Sequence, residues 1–168
     1  NFSRTVANEA KCGAYYTDLS MVRAMRNFFE FSKEKEYLCA DFSIGDAKAL
    51  LTVTCKEKDD RKNLFGVEIN SVTCEELERL KDQGLLKSYL NGDFLHDVKI
   101  SNRVFSFLFL NPPYGDERCS DGKLRRMEAL HIEKAFNYIK AGGVLCLVVP
   151  ETVLNLEGFQ KTLIGRYK

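Results

Sequence analysis

The stretch VFSFLFLNPPYG, residues 104–115, decides how this chain folds. Apart from Ser106, every position from Val104 to Leu110 is apolar. A strand with two apolar faces is buried on both sides, as in a parallel sheet covered by helices above and below. The run stops abruptly at Asn111. Two prolines without backbone donors follow, then an aromatic ring and a glycine. A turn needs one proline and one glycine, so the amide and the ring call for a second explanation.

Outward from this strand, the pattern is regular. Downstream, Ile132, Ala135, Phe136 and Ile139 recur at helical spacing. The sequence AGG, residues 141–143, is expected to end that helix, and VLCLVVP, residues 144–150, reads as another strand. Upstream, EYLCADF (36–42), LFGVEI (64–69) and LLKSYL (85–90) read as strands. GDAKALLTV (45–53) reads as a helix. TCEE (73–76) has the form of a capping box that starts a helix through Leu77 and Leu80, with Gly84 at its end. KEKDDRKN (56–63) reads as a solvated loop. Met21, Val22, Met25, Phe28 and Phe29 predict a first helix over residues 17–31, capped by Thr17 or Asp18. Strands alternating with helices imply an α/β three-layer sandwich around a mostly parallel, Rossmann-like sheet.

The bulk properties agree with one globular domain. The chain has 168 residues and a net charge of +1, which gives no whole-chain argument for a polyanion. The longest apolar runs are far too short to cross a membrane. The start, NFSRTVANEAKC, has no apolar core of a signal peptide and no initiator Met, so the natural N-terminus is expected to lie elsewhere. Six scattered cysteines form no CxxC pair, and His96 and His131 have no metal spacing with them. The expectation is reduced thiols, a cytoplasmic protein and no metal.

In parallel sheets ligands sit beyond the carboxyl ends of the strands. The strands here end in ADFSIGDA, Glu68, NGDFLHD and NPPYG, all of them polar, glycine-bearing or acidic. Gly45 permits a tight turn with close backbone approach to a ligand. Glu68, roughly 20 residues further on, is suited to accept both hydroxyls of a ribose. No G-x-G-x-x-G is present, which disfavours a dinucleotide and a nicotinamide oxidoreductase. Asp93, or the Phe94 amide and ring, suits the amino edge of a purine; a loop Asp that caps its own turn is the structural alternative.

The second explanation for NPPYG concerns planar amines. The nitrogen lone pair of an aromatic amine is delocalised into its ring, so the amine is a poor nucleophile. Two acceptors, one for each N–H, aim that lone pair out of the plane. Asn111 supplies a side-chain carbonyl and Pro112 a backbone one. Tyr114 offers a face for stacking, worth about 1–3 kcal/mol per base. Gly115 lets the chain leave without adding a side chain.

On these residues the chain resembles the class I S-adenosylmethionine-dependent amino-methyltransferases, most of all the N6-adenine DNA type with its NPPY motif. The resemblance runs from about Lys11 to Val153. It implies a catalytic motif of Asn111, Pro112, Pro113 and Tyr114. For the cofactor, S-adenosylmethionine, it implies Tyr15, Tyr16, Thr17, Asp41, Ser43, Gly45, Glu68, Asp93, Phe94 and Asn111. KCGAYYTDLSMVRAM (11–25) resembles the family's upstream segment, so residues 1–35 are expected to close over the cofactor and 36–168 to form the catalytic domain. Family sheets have seven strands against five counted here, which implies an incomplete C-terminus and a target-recognition region outside the chain. Phe42 stands where the cofactor loop usually has proline, Ala47 where it has a second glycine, and Asp18 replaces an upstream proline. DNA is the expected partner, with RNA bases or protein glutamine as rival substrates. The altered cofactor loop leaves open a methyltransferase-like binding module that no longer catalyses. Arg118, Lys123, Arg125 and Arg126 lie in a loop that either touches phosphates or is simply solvated.

Overall fold

The computed structural model describes residues 17–57 and 60–155. Helix α1 (Leu19–Arg26) leads into β1 (Tyr37–Asp41), α2 (Lys48–Thr54), β2 (Lys62–Glu68), α3 (Cys74–Asp82), β3 (Ser88–Asn91) and β4 (Phe105–Leu110). A small hairpin, β5 (Asp116–Arg118) and β6 (Leu124–Arg126), precedes α4 (Met127–Ala135), β7 (Ile139–Leu147) and α5 (Glu151–Leu154). The main sheet has the order β3-β2-β1-β4-β7, and all its pairings are parallel. The chain steps outward from β1 to β2 and β3, then returns to β4 on the other side of β1. The strand order therefore switches between β1 and β4, where a crevice opens at the carboxyl ends.

Alternation along the central strands fills two cores. Cys39, Leu64, Phe107 and Phe109 face Val22 of α1, Leu50 and Val53 of α2, and Leu77 and Leu80 of α3. Ala40, Val67, Leu108 and Leu110 face the other way, toward Phe94, Val98, Ala135 and Tyr138. The three layers are those read from the two apolar faces of β4.

Five local expectations are corrected. The first helix stops at Arg26 rather than 31, because Phe29 and Phe31 turn back to pack edge-on against Phe107, with ring centroids 5.0 and 5.5 Å away. Its cap is Asp18, which accepts the Ser20 N–H at 2.7 Å. The TCEE capping box does not form: Thr73 already has helical dihedrals and its side chain makes no capping bond. Asn70 takes that part, accepting the Val72 N–H on its side chain at 3.0 Å and the Cys74 N–H on its carbonyl at 3.3 Å. The fourth helix ends at Ala135, and Ile139 opens β7 instead. The Tyr138 carbonyl is already bonded to the N–H groups of Val104 and Phe105, so sheet pairing wins over helical spacing. AGG lies within a bulge of β7, between the pairs Phe105–Ile139 and Phe107–Val144, and Gly142 carries its positive φ. Finally, residues 116–126 form a hairpin in which Asp116 faces Arg126 and Glu117 faces Arg125, opposite charges directly across the strands.

The turn after β1 depends on a close approach. A Cβ on Gly66 would stand 2.4 Å from Cδ1 and 2.8 Å from Cγ2 of Ile44. Ile44 is branched and buried, so it has no easy retreat. Gly66→Ala is expected to lower stability by about 1–3 kcal/mol, read as a fall in the urea midpoint at unchanged slope.

Candidate functional site

Members of both groups of residues singled out from the sequence line one cleft of about 320 Å³ at the switch between β1 and β4. From the β1 turn come Asp41, Phe42, Ser43, Ile44, Gly45 and Asp46; from the end of β2, Glu68; from the loop after β3, Asp93 and Phe94; from the end of β4, Asn111 and Pro113. Thr17 and Leu19 reach it from the start of α1. Tyr15 and Tyr16 lie outside the described residues. Pro112 is buried and Tyr114 half-buried, and neither lines the cleft.

Glu68 organises the cofactor-side turn. Its Oε2 accepts the Gly45 N–H at 2.9 Å and its Oε1 accepts the Asn70 N–H at 2.7 Å. Gly45 has φ +55°, the left-handed conformation that favours glycine. Two residues on, Ala47 has φ +62°, where the resemblance suggests a second glycine. The backbone keeps the glycine-like shape despite the methyl group, and that methyl packs into the core with Leu50 and Val53, away from the cleft lining. Phe42 is likewise buried, stacked on Phe94 at 4.3 Å with an interplanar angle of 9°.

Asp41 is 2% exposed, and its Oδ1 accepts the Ser43 N–H at 2.9 Å. Burial pushes its pKa up to about 8, and the neighbouring Glu68 charge adds to the rise. Asp93 does cap its own turn, accepting the Leu95 N–H at 2.7 Å, and lines the cleft as well.

Asn111 is held at both ends of its amide. Its Nδ2 donates to Thr17 Oγ1 at 2.9 Å, and its Oδ1 accepts from the Tyr114 hydroxyl at 2.7 Å. The same hydroxyl approaches the Val148 carbonyl at 3.4 Å. The amide thus has a defined orientation at the cleft wall.

Two lining residues of α4, Met127 and His131, were not singled out from the sequence. His131 is buried, and its Nδ1 lies 2.9 Å from the Met127 carbonyl. A carbonyl only accepts, so Nδ1 carries the proton. Desolvation lowers the pKa, which favours the neutral ring. The available signal was positional: the first turn of a helix that follows the hairpin must start at the same sheet edge as Asn111. Among the described residues, no group of His, Cys, Asp or Glu side chains is arranged to hold a metal ion. No helix there is long and apolar enough to cross a membrane.

The uncharacterised methyltransferase family DUF6094 matches residues 3–157. The chain belongs to this methyltransferase family. No curated protein sequence matches it. Among solved structures it is similar to a class I S-adenosylmethionine-dependent methyltransferase from Listeria monocytogenes, with 21% identity, a TM-score of 0.67, and coverage of 88% of this chain and 50% of the other. It is also similar to the methyltransferase subunit of a type I restriction-modification system from Streptococcus thermophilus, with 20% identity, a TM-score of 0.68, and coverage of 90% and 38%. A third is TYW2 of P. horikoshii in complex with MeSAdo, with 15% identity, a TM-score of 0.58, and coverage of 91% and 53%. These likenesses are of fold, and the fold is that of the class I methyltransferases. The chain spans about half or less of the length of the first two structures.

S-adenosylmethionine is the expected cofactor of this family member. The cleft suits such a molecule on its own chemistry. Its volume lies within the roughly 300–1,000 Å³ of small-molecule sites. Of its ionisable lining, Lys48 is paired with Asp46 at 2.6 Å, His131 is neutral and the raised pKa of Asp41 keeps that carboxyl mostly protonated near neutral pH, which leaves the carboxyl groups of Glu68 and Asp93 unmatched by a lining cation. That balance favours a cation and disfavours phosphates. Ile44, Val67, Ile69 and Phe94 add apolar surface for a ring.

The buried carboxyl of Asp41 has a signature in stability. Its folded pKa of about 8 lies above the ordinary value of 3.8, so the folded state binds more protons between them. Stability from this group is therefore full below about 4 and is lost as pH rises toward about 8. The stability difference between wild type and Asp41→Asn is expected to move against the wild type across that window and level off above it. Urea titrations at several pH values measure it.

Proposed function

We propose that this chain carries the catalytic domain of an S-adenosylmethionine-dependent methyltransferase that acts on the exocyclic amine of adenine in DNA. The observation that carries the reading is that Asn111, at the end of β4, lines the same cleft as the Glu68–Gly45 turn. An amine-orienting amide and a ribose-suited carboxylate face one space. The NPPY sequence and the likeness to a restriction-modification methyltransferase subunit support the choice of adenine in DNA.

In this reading Glu68 binds the ribose hydroxyls while its carboxylate still holds the turn, since an ionised carboxylate has about four acceptor sites. Asp93 and Phe94 border the purine. Thr17, Asp41, Ser43 and Gly45 border the methionine side, with Tyr15 and Tyr16 contributing from the upstream segment. S-adenosylmethionine, when bound, supplies an electrophilic methyl group on a sulfonium. Asn111 Oδ1 and the Pro112 carbonyl accept the two N–H groups of the target amine and point its lone pair out of the ring plane. A carbonyl oxygen has two lone pairs, so Oδ1 can take the amine alongside the Tyr114 hydroxyl or in exchange for it. Pro113 stiffens the motif, and the Tyr114 ring stacks on the base. Positioning and fixed dipoles carry the rate, with no metal required. A base in a duplex must first be unstacked, at a cost of a few kcal/mol.

Asn111→Ala is expected to lower transfer at least about 100-fold while the S-adenosylmethionine Kd stays within twofold of wild type. Glu68→Gln, which keeps one of the two acceptors that hold the Gly45 and Asn70 N–H groups and loses the other, is expected to raise that Kd about tenfold, roughly 1.4 kcal/mol. Calorimetry and a tritiated-methyl assay of the full-length protein on DNA, RNA and protein in parallel measure both. Label in RNA or protein alone would overturn the DNA assignment; a folded protein that gives no binding heat would favour a non-catalytic binding module.

A further inference from the structure

Lys134 of α4 reaches away from its own helix into the loop that follows β3. Its ammonium donates to the carbonyls of Phe94, Leu95 and Val98 at 2.5, 2.9 and 3.3 Å. The same nitrogen stands 5.0 Å from the centre of the Phe94 ring. The loop it grips is a single helical turn. Asp93 starts the turn by accepting the Leu95 N–H on its side chain and the Asp97 N–H on its carbonyl, at 2.7 and 2.8 Å. Asp97 closes it from the far end, its Oδ2 accepting the Asp93 N–H at 2.7 Å. One isolated turn leaves its last carbonyls without intrahelical partners, and a turn this short is not stable alone. Lys134 supplies three donors to that end.

We propose that Lys134 is a positioning residue for the nucleoside end of the cofactor, acting by capping the 93–98 turn so that Asp93 and Phe94 hold the shape of the cleft wall. The inference rests on the reading that this side of the cleft takes the purine. Two observations separate it from an ordinary surface contact. The ammonium is half-buried and its carbonyl partners belong to a loop some 40 residues away, so the bonds fix that loop to α4 rather than stabilise α4 itself. Phe94 also stacks on Phe42 of the β1 turn and tilts against His131 at 5.5 Å, so a shift of the loop moves three of the cleft's walls together.

The test uses the full-length protein, wild type against Lys134→Met and Lys134→Arg, titrated calorimetrically with S-adenosylhomocysteine and with 5′-methylthioadenosine. Loss of bonds from a charged donor is expected to weaken both ligands in Lys134→Met by about tenfold. The factor should be the same for both, because both carry the nucleoside and only one carries an amino-acid tail. Lys134→Arg keeps charge and donors and is expected to fall between, which also serves if the methionine variant does not fold. Amide exchange of Leu95 and Asp97 should quicken in Lys134→Met while that of β1 and β4 does not. Unchanged affinity for both ligands, or a loss confined to S-adenosylhomocysteine, overturns the role of Lys134; faster exchange across the whole sheet reduces it to general stability. If the folded wild type binds neither ligand, it is the reading of the cleft that fails.

Discussion

One carboxylate at the tip of β2 holds the edge of this sheet together. Glu68 accepts the Gly45 N–H with one oxygen and the Asn70 N–H with the other. The first bond ties the β1 turn to its neighbouring strand; the second sets the start of the turn that leads into α3. Hydrogen bonds to a charged group contribute about 1.5–3 kcal/mol each, enough to fix two loops that have little regular structure of their own. The turn so held must carry left-handed residues at Gly45 and Ala47 and must let Ile44 lie against the bare Cα of Gly66. Ala47 shows how strongly the surroundings determine this shape. A left-handed alanine costs about 1–2 kcal/mol, yet its methyl is fully buried in the core shared with Leu50 and Val53, which offsets the strain.

Charge sorts what can enter. The unmatched carboxyl groups of Glu68 and Asp93 repel pyrophosphate, in keeping with the missing glycine fingerprint. The raised pKa of Asp41 reflects first the cost of burying a charge, to which the nearby Glu68 carboxylate adds. A cationic ligand relieves both. The basic hairpin is less suited to phosphates than its sequence suggests. Arg125 pairs with Asp121 at 3.2 Å, and Arg126 pairs with Glu128 and lies 3.8 Å from Asp116. Those cations serve the hairpin first.

The fold was legible where one force dominates. Strands apolar on two faces, such as residues 104–110 and 36–42, have only one stable environment, and their parallel arrangement followed from that; their order in the sheet did not. The site's location followed too, because Asp41, Glu68, Asp93 and Asn111 each sit at a strand's carboxyl end. Boundaries failed where a tertiary contact competes with local periodicity. Phe29 and Phe31 continue a helical spacing but gain more by packing on Phe107; Ile139 continues another but pairs with Phe105. The capping box failed because Asn70, held by Glu68, starts the helical turn earlier than Thr73 could. His131 and Lys134 were hidden for a different reason. Each sits on a helix where a polar residue in the sequence looks like any other, and its meaning comes from loops that the topology brings alongside.

The catalytic asparagine of the proposed reaction draws its precision from parts of the chain far apart in sequence. An amide attached through one rotatable bond presents either oxygen or nitrogen to a substrate, and only oxygen can accept an amine N–H. Thr17, from the segment before α1, takes the nitrogen; Tyr114, from the motif itself, takes the oxygen; Val148, beyond β7, lies close to the same hydroxyl. Turning the amide over would set Nδ2 against the Tyr114 hydroxyl and Oδ1 against Thr17, so both hydroxyls would have to exchange donor and acceptor roles. The phenol, near the Val148 carbonyl, would lose the acceptor that now takes its proton at 2.7 Å. Orientation is therefore established before any substrate arrives, which is the condition under which fixed dipoles lower a barrier without reorganising during the reaction. It also ties the N-terminal segment to the chemistry through Thr17: whatever shifts that segment alters the angle of the amide as well as the wall of the cleft.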